Sequence, residues 1–334
     1  MTARYPIRSG GFRPGGGRKL VARPQFKQDA SSVRWYYHNP MDIGADLSAG
    51  FDRFDKHDES QPDHLTSLLK TIIDWEKREE RRLDAHLVTW RGMMTKILSC
   101  PFENRDGIAW YKFETLCTLS RPWGEISRTE IESRPNDVVS NKAQYCSVAI
   151  TNLGPTKMCL AGEIDALWGS KPSDPQAPID WVELKTTAEI QSERDRDFFN
   201  NKVMRFWIQS FLIGVSRVIV GFRSHDGHLV RVQEMYTADL LRRAPELGRR
   251  RLKSVIRGGG LWRIRRQPGG RDVEVFRLAE HGHGQVLSDE FLEWRNSEAM
   301  KAIDQQAQQR ALQAEKERQE QQEEARAAGQ QQPS

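Results

Sequence analysis

The most informative stretch of the sequence is GEIDALWGSKPSDPQAPIDWVELKT, at residues 162–186. Its two ends are rich in strand-forming residues, whereas the middle carries three prolines and suits a hairpin connection. Residues i and i+2 of a strand point to the same face, so Glu163 projects with Asp165, and Glu183 projects with Lys185. The stretch therefore predicts two adjacent strands that bring three carboxylates and one amine together.

Such a set of side chains predicts a metal site. Three carboxylates this close repel one another and shift their pKa values unless a cation neutralises them. All-oxygen ligands favour Mg²⁺ or Mn²⁺ over Zn²⁺, and either ion can polarise a phosphoryl group and activate water. Lys185 can then stabilise the added negative charge of the transition state, which indicates hydrolysis of a phosphodiester or pyrophosphate bond. A single E-x-D or E-x-K pair is more often a solvated sheet face; the two together favour a site.

Two further features of the sequence fit that site. Glu114 lies among aromatic residues in WYKFE, where an acid costs free energy unless it is paired or close to a metal. Lys202, Arg205 and Gln209 form a polar stripe on a predicted helix and could orient phosphates, although an ordinary solvated face is an equally good explanation of the stripe.

Outward from this stretch, the sequence predicts an α/β (α+β) fold with a mixed β-sheet core flanked by helices. Apolar side chains at helical spacing predict three helices. Their stripes are Leu65, Leu68, Leu69, Ile72 and Ile73; Leu87, Trp90, Met94, Ile97 and Leu98; and Phe199, Val203, Phe206, Ser210 and Ile213. Five segments rich in β-branched and aromatic residues predict strands of one sheet. They are YCSVAIT at 145–151, KMCLAGEIDALW at 157–168, DWVELKTT at 180–187, SRVIVGFR at 216–223 and HLVRVQEMYT at 228–237.

The composition of the two ends predicts tails around a single domain. Residues 1–25 hold five glycines and six Lys or Arg with no acid, which predicts a disordered basic tail. Residues 296–334 hold eleven glutamines and almost no apolar face, which predicts a helical or disordered tail. One catalytic domain is predicted over residues 26–295 of the 334.

The overall composition narrows the class of protein. The net charge of +5 permits nucleic-acid binding without requiring it. A basic segment, residues 241–271, suits RNA phosphates or an acidic partner, and a solvated surface explains it equally well. The four cysteines form no C-x-x-C pair and are predicted to be reduced, and the histidines of 225–228 and 281–283 are predicted to be ordinary loop residues. We expect no secretion signal and no membrane span.

Five motifs together resemble the DXO/Rai family of decapping nucleases, and they follow one another in the family's order. They are WRG at 90–92, YKFE at 111–114, GEID at 162–165, ELK at 183–185 and QSF at 209–211. The likeness extends over about residues 26–294 and includes the fungal nuclear branch of the family. It implies a core related to the PD-(D/E)xK nucleases. It also implies removal of pyrophosphate from 5′-triphosphate RNA, of incomplete caps and of NAD caps.

The resemblance also implies roles for individual residues. It implies that Lys185 and Gln209 hold the scissile phosphate or position the attacking water, and that Arg91 contacts the RNA 5′ phosphate region. Glu114 joins the metal shell directly or through water and thereby borders the substrate. The implied ligands of Mg²⁺ or Mn²⁺ are Glu114, Glu163, Asp165, Glu183 and the Leu184 carbonyl.

A partner and a location follow from the same resemblance. Members of the fungal branch bind and stimulate a Rat-type nuclear 5′-3′ exoribonuclease, so we expect that partner, RNA 5′ ends as substrate, and the nucleus as location. The run Arg249-Arg250-Arg251 is a weak nuclear-import signal and also indicates the nucleus.

One departure from the family leaves alternatives open. Relatives have a longer segment before the YKFE motif, whereas here only residues 104–109 separate Glu103 from Trp110, where the family usually has Gly. An alternative hypothesis is therefore a catalytically weakened protein that stabilises the exoribonuclease. A third hypothesis is a DNA-cleaving nuclease of the wider superfamily.

Overall fold

The structure is a computed structural model, and it describes residues 2–5, 21–22, 33–57, 64–99, 109–142, 144–153, 156–174, 177–243, 262–266, 273–277 and 286–329. These residues contain thirteen strands and eight α-helices. The strands are β1 Thr2–Tyr5, β2 Val21–Ala22, β3 Trp35–Tyr36, β4 Leu87–Trp90, β5 Thr118–Leu119, β6 Tyr145–Leu153, β7 Thr156–Ile164, β8 Ala166–Leu167, β9 Trp181–Ala188, β10 Arg217–Arg223, β11 Leu229–Tyr236, β12 Trp262–Arg266 and β13 Val273–Arg277. The helices are α1 Thr66–Glu79, α2 Arg91–Ser99, α3 Ala109–Leu116, α4 Arg128–Ser133, α5 Glu193–Ile213, α6 Thr237–Arg243, α7 Asp289–Asn296 and α8 Glu298–Gly329.

The chain divides into two compact units. Unit 1 comprises Met1–Asp63 and Ala85–His283 and contains all of the described strands. Unit 2 comprises His64–Asp84 and Gly284–Ser334 and contains α1, α7 and α8. The predicted limits of the catalytic domain, residues 26 and 295, stay a prediction.

Two sheets of unit 1 carry the candidate site. The six-stranded sheet has the order β11-β10-β9-β8-β3-β5, and the four-stranded sheet has the order β2-β6-β7-β4. Strand β9 pairs antiparallel with β8 and parallel with β10, while β7 pairs antiparallel with β6 and parallel with β4. The predicted mixed sheet with flanking helices is confirmed. The five predicted segments all form strands but belong to two sheets rather than one, because the chain leaves β7 and enters β8 at Asp165.

Helix α5 packs against strands of both sheets. It contacts β6, β7, β9 and β10, and all five residues of its predicted stripe are buried. Ile208 and Leu212 pack in one cluster with Leu160 of β7, and Phe199 packs in another with Phe222 of β10. Because Trp181 of β9 packs in the same cluster as Ile208 and Leu212, this helix covers the face of β9 from which Glu183 and Lys185 project.

Helix α3 covers the opposite face of β9. Phe113 and Leu116 pack with Val182 and Leu184, and all four are fully buried. A Cβ atom at Gly221 of β10 would lie 2.5 Å from Cε2 of Phe113, so only glycine permits this approach of helix and sheet. Because Leu184 faces α3, alternation along β9 directs Glu183 and Lys185 to the other face, as predicted.

Two local predictions differ from the structure. The stripe 87–98 is not one helix: Leu87–Trp90 forms β4, which pairs with β7, and α2 begins at Arg91. The β-branched and aromatic residues of this segment gain a sheet neighbour, which outweighs their helical spacing. Within the predicted disordered tail, β1 and β2 are instead strands, since β13 and β6 supply backbone partners.

Unit 2 is organised around the buried side chain of Glu76. Its carboxylate accepts hydrogen bonds from the backbone N–H of Leu83 at 2.8 Å and from Trp294 Nε1 at 2.7 Å. Arg295 Nη2 lies 2.8 Å from the same carboxylate. These contacts join α1 to α7, and α8 follows as a helix whose side chains are largely exposed up to Glu323.

Several negative predictions bear on the described residues. None of the helices in the described part of the chain combines the length and apolar character needed to cross a bilayer. Cys117 and Cys159 are buried thiols outside any disulfide, as predicted, and Cys100 lies outside the described residues. Most of the basic segment 241–271 and the histidines of 281–283 also lie outside them.

Candidate active site

Asp165 occupies the point where the chain crosses between the sheets of unit 1. It follows the last residue of β7 and precedes β8, so its backbone belongs to neither strand. Its Oδ2 accepts a 2.6 Å hydrogen bond from the Leu184 N–H and thereby takes the place of a strand carbonyl. In the described part of the chain its other oxygen, Oδ1, is buried and has no hydrogen-bond partner. The side chain thus joins β7 to β9 while keeping one oxygen for another ligand.

Glu183 lies between two cations on the same sheet face. Its Oε2 is 2.7 Å from Arg91 Nη1, and its Oε1 is 2.6 Å from Lys185 Nζ. The Glu183 side chain is fully buried, while those of Arg91 and Lys185 are 10% and 15% exposed. A buried carboxylate with two cationic donors is well compensated, which makes this pair of contacts the most strongly neutralised part of the site.

Gly162 makes room for Arg91. A Cβ atom at this position would lie 2.8 Å from Cβ and 3.0 Å from Cδ of Arg91. Arg91 is the first residue of α2, directly after β4, and β4 pairs with β7 at Ala161. The glycine of the GEID motif therefore allows the guanidinium to pass over β7 and reach Glu183.

The charges of the site act on one another strongly. Burial would raise the pKa of Glu183, but Arg91 and Lys185 outweigh it and lower that pKa below its usual value. Burial would lower the pKa of Arg91, and the carboxylates of Glu183, Asp165 and Glu163 outweigh it and raise it. Burial and the negative charge of Glu183 raise the pKa of Glu163, and they raise that of Asp165 well above the usual value. Two cations therefore do not neutralise the whole cluster.

Glu114 belongs to the same cluster, although α3 carries it. Burial, followed by the negative charge of Glu163, raises its pKa to about 8, while the nearby charges of Arg34 and Lys185 oppose this rise. The predicted fourth carboxylate thus lies within electrostatic reach of the other three. Arg34 has no part in the sequence predictions, since a single arginine before β3 carries no motif.

The remaining predicted residues have less direct contacts. Gln209 lies partly buried on α5, which packs against β7 and β9, and no hydrogen bond joins its side chain to the four described carboxylates. The Leu184 side chain is buried on the opposite face of β9, and its N–H binds Asp165. The role of its carbonyl stays a prediction. Segment 101–108, which contains the shortened connection, lies outside the described residues.

The four acidic side chains are of a type that binds divalent cations, but their arrangement in this structure is not that of a metal site. Among the described residues, no group of three or more His, Cys, Asp or Glu side chains is arranged to hold a metal ion. Four acidic side chains nevertheless meet, with an unpartnered Asp165 oxygen among them. An all-oxygen donor set of this kind suits Mg²⁺ or Mn²⁺. For Glu183 to hold such an ion, it would have to give up part of its contact with Arg91 or Lys185.

Comparison with known families identifies the family of this chain. A family model described as "RAI1 like PD-(D/E)XK nuclease" matches residues 20–110 and 107–292. The chain belongs to this family. The resemblance found in the sequence is therefore confirmed, and the two matched stretches meet at the connection that is predicted to be shortened.

Individual members of the RAI1-like family are similar over most of their length. The Decapping nuclease RAI1 of Neurospora crassa is 42% identical to this chain, and the match covers 88% of each protein. The crystal structure of Candida albicans Rai1 in complex with pU5-Mn²⁺ is 27% identical, with a TM-score of 0.68 over 81% of this chain and 91% of that one. Scheffersomyces stipitis Rai1 in complex with (3′-NADP)⁺ and calcium is 25% identical, with a TM-score of 0.66 over 79% and 89%. These relatives support an RNA decapping nuclease function for the chain.

Proposed function

We propose that the protein is a divalent-metal-dependent hydrolase of RNA 5′ ends. Its substrates are 5′-triphosphate RNA, from which it removes pyrophosphate, incompletely capped RNA and NAD-capped RNA. The observation that carries the proposal is the meeting of Glu163, Asp165 and Glu183 beside Lys185, with one Asp165 oxygen unpartnered. The ligands in the related structures, pU5 with Mn²⁺ and (3′-NADP)⁺ with calcium, support the same substrate classes.

The proposed cation ligands are the carboxylates of the cluster. Glu163, Asp165 and Glu183 hold Mg²⁺ or Mn²⁺ together with the Leu184 carbonyl, and Glu114 does so directly or through water. When bound, such an ion supplies positive charge to the phosphoryl oxygens and lowers the pKa of a bound water. Binding also keeps the carboxylates ionised, since it offsets the burial and mutual repulsion that raise three of their pKa values.

The basic and amide side chains act on the substrate. Lys185 is held by Glu183 at 2.6 Å, so its ammonium is already oriented when negative charge develops on the phosphoryl group. Arg91 contacts the 5′ phosphate region and is released in part from Glu183 for that purpose. Gln209, on the helix that covers this face, positions the scissile phosphate or the attacking water.

A direct assay of 5′-end hydrolysis tests this proposal. The full chain is incubated with 5′-triphosphate, GpppN-capped and NAD-capped RNA in Mg²⁺, in Mn²⁺ and in EDTA. We expect release of pyrophosphate or cap products with either ion and none in EDTA. Absence of cleavage of all three RNAs, or equal cleavage in EDTA, contradicts the proposal. Preference for duplex DNA in the same assay would favour the DNA-cleaving alternative.

We further propose that the protein binds a Rat-type 5′-3′ exoribonuclease in the nucleus. The meeting of the two family-model stretches at 107–110 favours a second candidate function, in which the chain is a weakened enzyme that mainly stabilises this partner. Co-purification with the exoribonuclease, followed by its activity assay with wild type and Glu163→Gln/Asp165→Asn, separates the two. Stimulation by both proteins without any 5′-end hydrolysis by wild type would favour the second candidate. A fluorescent fusion tests the location.

A further inference from the structure

A cavity of about 300 Å³ adjoins the carboxylate cluster in unit 1. Glu114 lines it, and the charges of Glu163 and Lys185 act on Glu114, so the cavity opens beside the candidate catalytic groups. Its volume is at the small end of the range for ligand pockets, about 300–1,000 Å³, which suits one nucleoside rather than a whole cap. The side chains that line it are Arg34, Glu114, Thr115, Thr118, Asp137, Val138 and Ser140.

The hydroxyl groups of this cavity can only accept further hydrogen bonds. Thr115 Oγ1 donates to the Tyr111 carbonyl at 3.0 Å, and Thr118 Oγ1 donates to the Glu114 carbonyl at 2.9 Å. Ser140 Oγ donates to Asp55 Oδ2 at 3.2 Å. Since each hydroxyl carries a single hydrogen, all three present only lone pairs to a ligand.

The charged groups add further acceptors and one strong donor. The Asp137 carboxylate and the Arg34 guanidinium line the cavity, no described residue forms a side-chain hydrogen bond with either, and Arg34 acts on Glu114 through its charge. One arginine against two acids does not favour a phosphate chain. The lining instead suits a group with several N–H or O–H donors and one acceptor for Arg34.

The wall that carries Asp137 is fixed to the rest of unit 1. The buried Lys112 donates from Nζ to the Pro135 carbonyl at 2.7 Å and to the Asp137 carbonyl at 3.5 Å. The Asp55 N–H donates to the Val139 carbonyl at 2.9 Å. Because both ends of the wall are held, the Asp137 side chain projects from a defined backbone.

We propose that this cavity is a nucleoside subsite, in which Asp137 accepts from the N1–H and 2-amino groups of guanine and Arg34 donates to O6. Guanine alone among the bases offers two adjacent N–H donors beside an acceptor, which matches a cavity lined by both a carboxylate and a guanidinium. The ribose hydroxyls find acceptors in Thr115 and Thr118. The inference rests on the proposed hydrolysis of RNA 5′ ends. The guanosine is that of the cap or the first nucleoside of the RNA.

Binding without metal tests the subsite independently of catalysis. Titration calorimetry of the full chain in EDTA measures the affinity for GpppA and for IpppA, whose inosine lacks the 2-amino group. We expect GpppA to bind more tightly, and Asp137→Asn to weaken GpppA binding about tenfold while nearly removing the difference between the two, as for a lost hydrogen bond to a charged group. Asp74→Asn, the same change at an exposed position of α1, serves as the matched control. Equal binding of GpppA and IpppA by wild type overturns the proposal.

Turnover distinguishes the two sources of the guanosine. The paired substrates are GpppA-RNA with IpppA-RNA, and pppG-RNA with pppI-RNA. A guanosine preference that shrinks in Asp137→Asn supports the subsite, and the pair that shows it identifies the end of the substrate that binds. If Asp137→Asn lowers turnover equally on every substrate, including pppA-RNA, the proposed subsite is overturned. If wild type cleaves none of them, the proposed hydrolase function fails, while the calorimetry still decides on the subsite.

Discussion

The acidic side chains of two sites in this protein differ in how completely they are paired with donors and cations. In unit 2, both oxygens of Glu76 are matched by donors from Leu83, Trp294 and Arg295. In unit 1, four carboxylates share two close cations, and in the described part of the chain one oxygen of Asp165 has no partner. A fully matched acid stabilises the structure in which it lies, whereas an incompletely matched group is complementary to something that must still bind.

The difference also separates the expected effects of substitution. Removal of Glu76 leaves donors without an acceptor, so the loss falls on stability. Replacement of Glu163 by Gln or of Asp165 by Asn relieves mutual repulsion and keeps an acceptor for the Leu184 N–H, so the loss falls on activity.

The double variant Glu163→Gln/Asp165→Asn is expected to lose at least ~10³-fold in the rate of 5′-end hydrolysis, because two proposed ligands of the cation lose their charge. The melting temperature is expected to stay the same or to rise, since the Asn carbonyl still accepts from Leu184 and two mutually repelling charges are gone. Hydrolysis of GpppN-RNA in Mn²⁺ and thermal melting provide the two measurements. A double variant that retains 5′-end hydrolysis would contradict the assignment of Glu163 and Asp165 as ligands of the cation.

Glu76→Ala is expected to destabilise the protein by about 3 kcal/mol, because Arg295 and Trp294 lose a buried acceptor. Urea denaturation of the full chain measures this change, and hydrolysis measured well below the midpoint is expected to match wild type. Loss of hydrolysis without loss of stability would assign Glu76 a role that its contacts do not indicate.

Gly162→Ala is expected to cost about 2 kcal/mol and to lower hydrolysis, because the new Cβ would lie 2.8 Å from Arg91 Cβ and displace the side chain from Glu183. Gly92→Ala is the matched control: no described atom lies within 4 Å of its added Cβ, and alanine favours the helix α2. Equal effects of the two substitutions would show that the contact of Gly162 with Arg91 is unimportant.

The fourth prediction concerns pH. Burial raises the pKa of Glu114 from 4.5 to about 8, so its protonated form stabilises the folded state below pH 4.5, and this contribution is lost as the pH rises through about 8. Relative to Glu114→Gln, wild type without metal should lose at least about 1 kcal/mol of unfolding free energy between pH 5 and pH 8. Denaturation series at both pH values measure the difference. A saturating Mn²⁺ concentration should reduce the loss. A wild type that gains stability relative to Glu114→Gln as the pH rises would contradict the assignment.

Much of the site follows from sequence because alternation along strands is a strict geometric rule. It brings Glu183 and Lys185 to one face of β9 and leaves Leu184 on the other. The same rule predicts that Glu163 and Asp165 lie on one strand, whereas β7 ends between them, at Ile164. They still meet the other acids, because the change of sheet occurs at Asp165 itself.

The rest depends on partners far away in the chain. The pairing of β4 with β7 turns an apparently helical stripe into a strand, and only the fold supplies that neighbour. Glu76 meets Trp294, 218 positions away, and local sequence carries no signal for such a contact. The contact of Arg91 with Glu183 likewise spans 92 positions, so the resemblance could imply a role for each residue but not their bond.

The hydrogen bond from Leu184 to Asp165 limits how this enzyme family can lose its activity. The Asp165 carboxylate accepts the Leu184 N–H at the point where the chain changes sheet. Most substitutions of Asp165 therefore leave this buried N–H without an acceptor and also remove a proposed metal ligand. Asparagine is the exception, because it keeps the shape and one acceptor. A descendant that retains the architecture as a non-catalytic scaffold is therefore expected to carry Asn at position 165, which gives a simple marker for searching genomes for such paralogues.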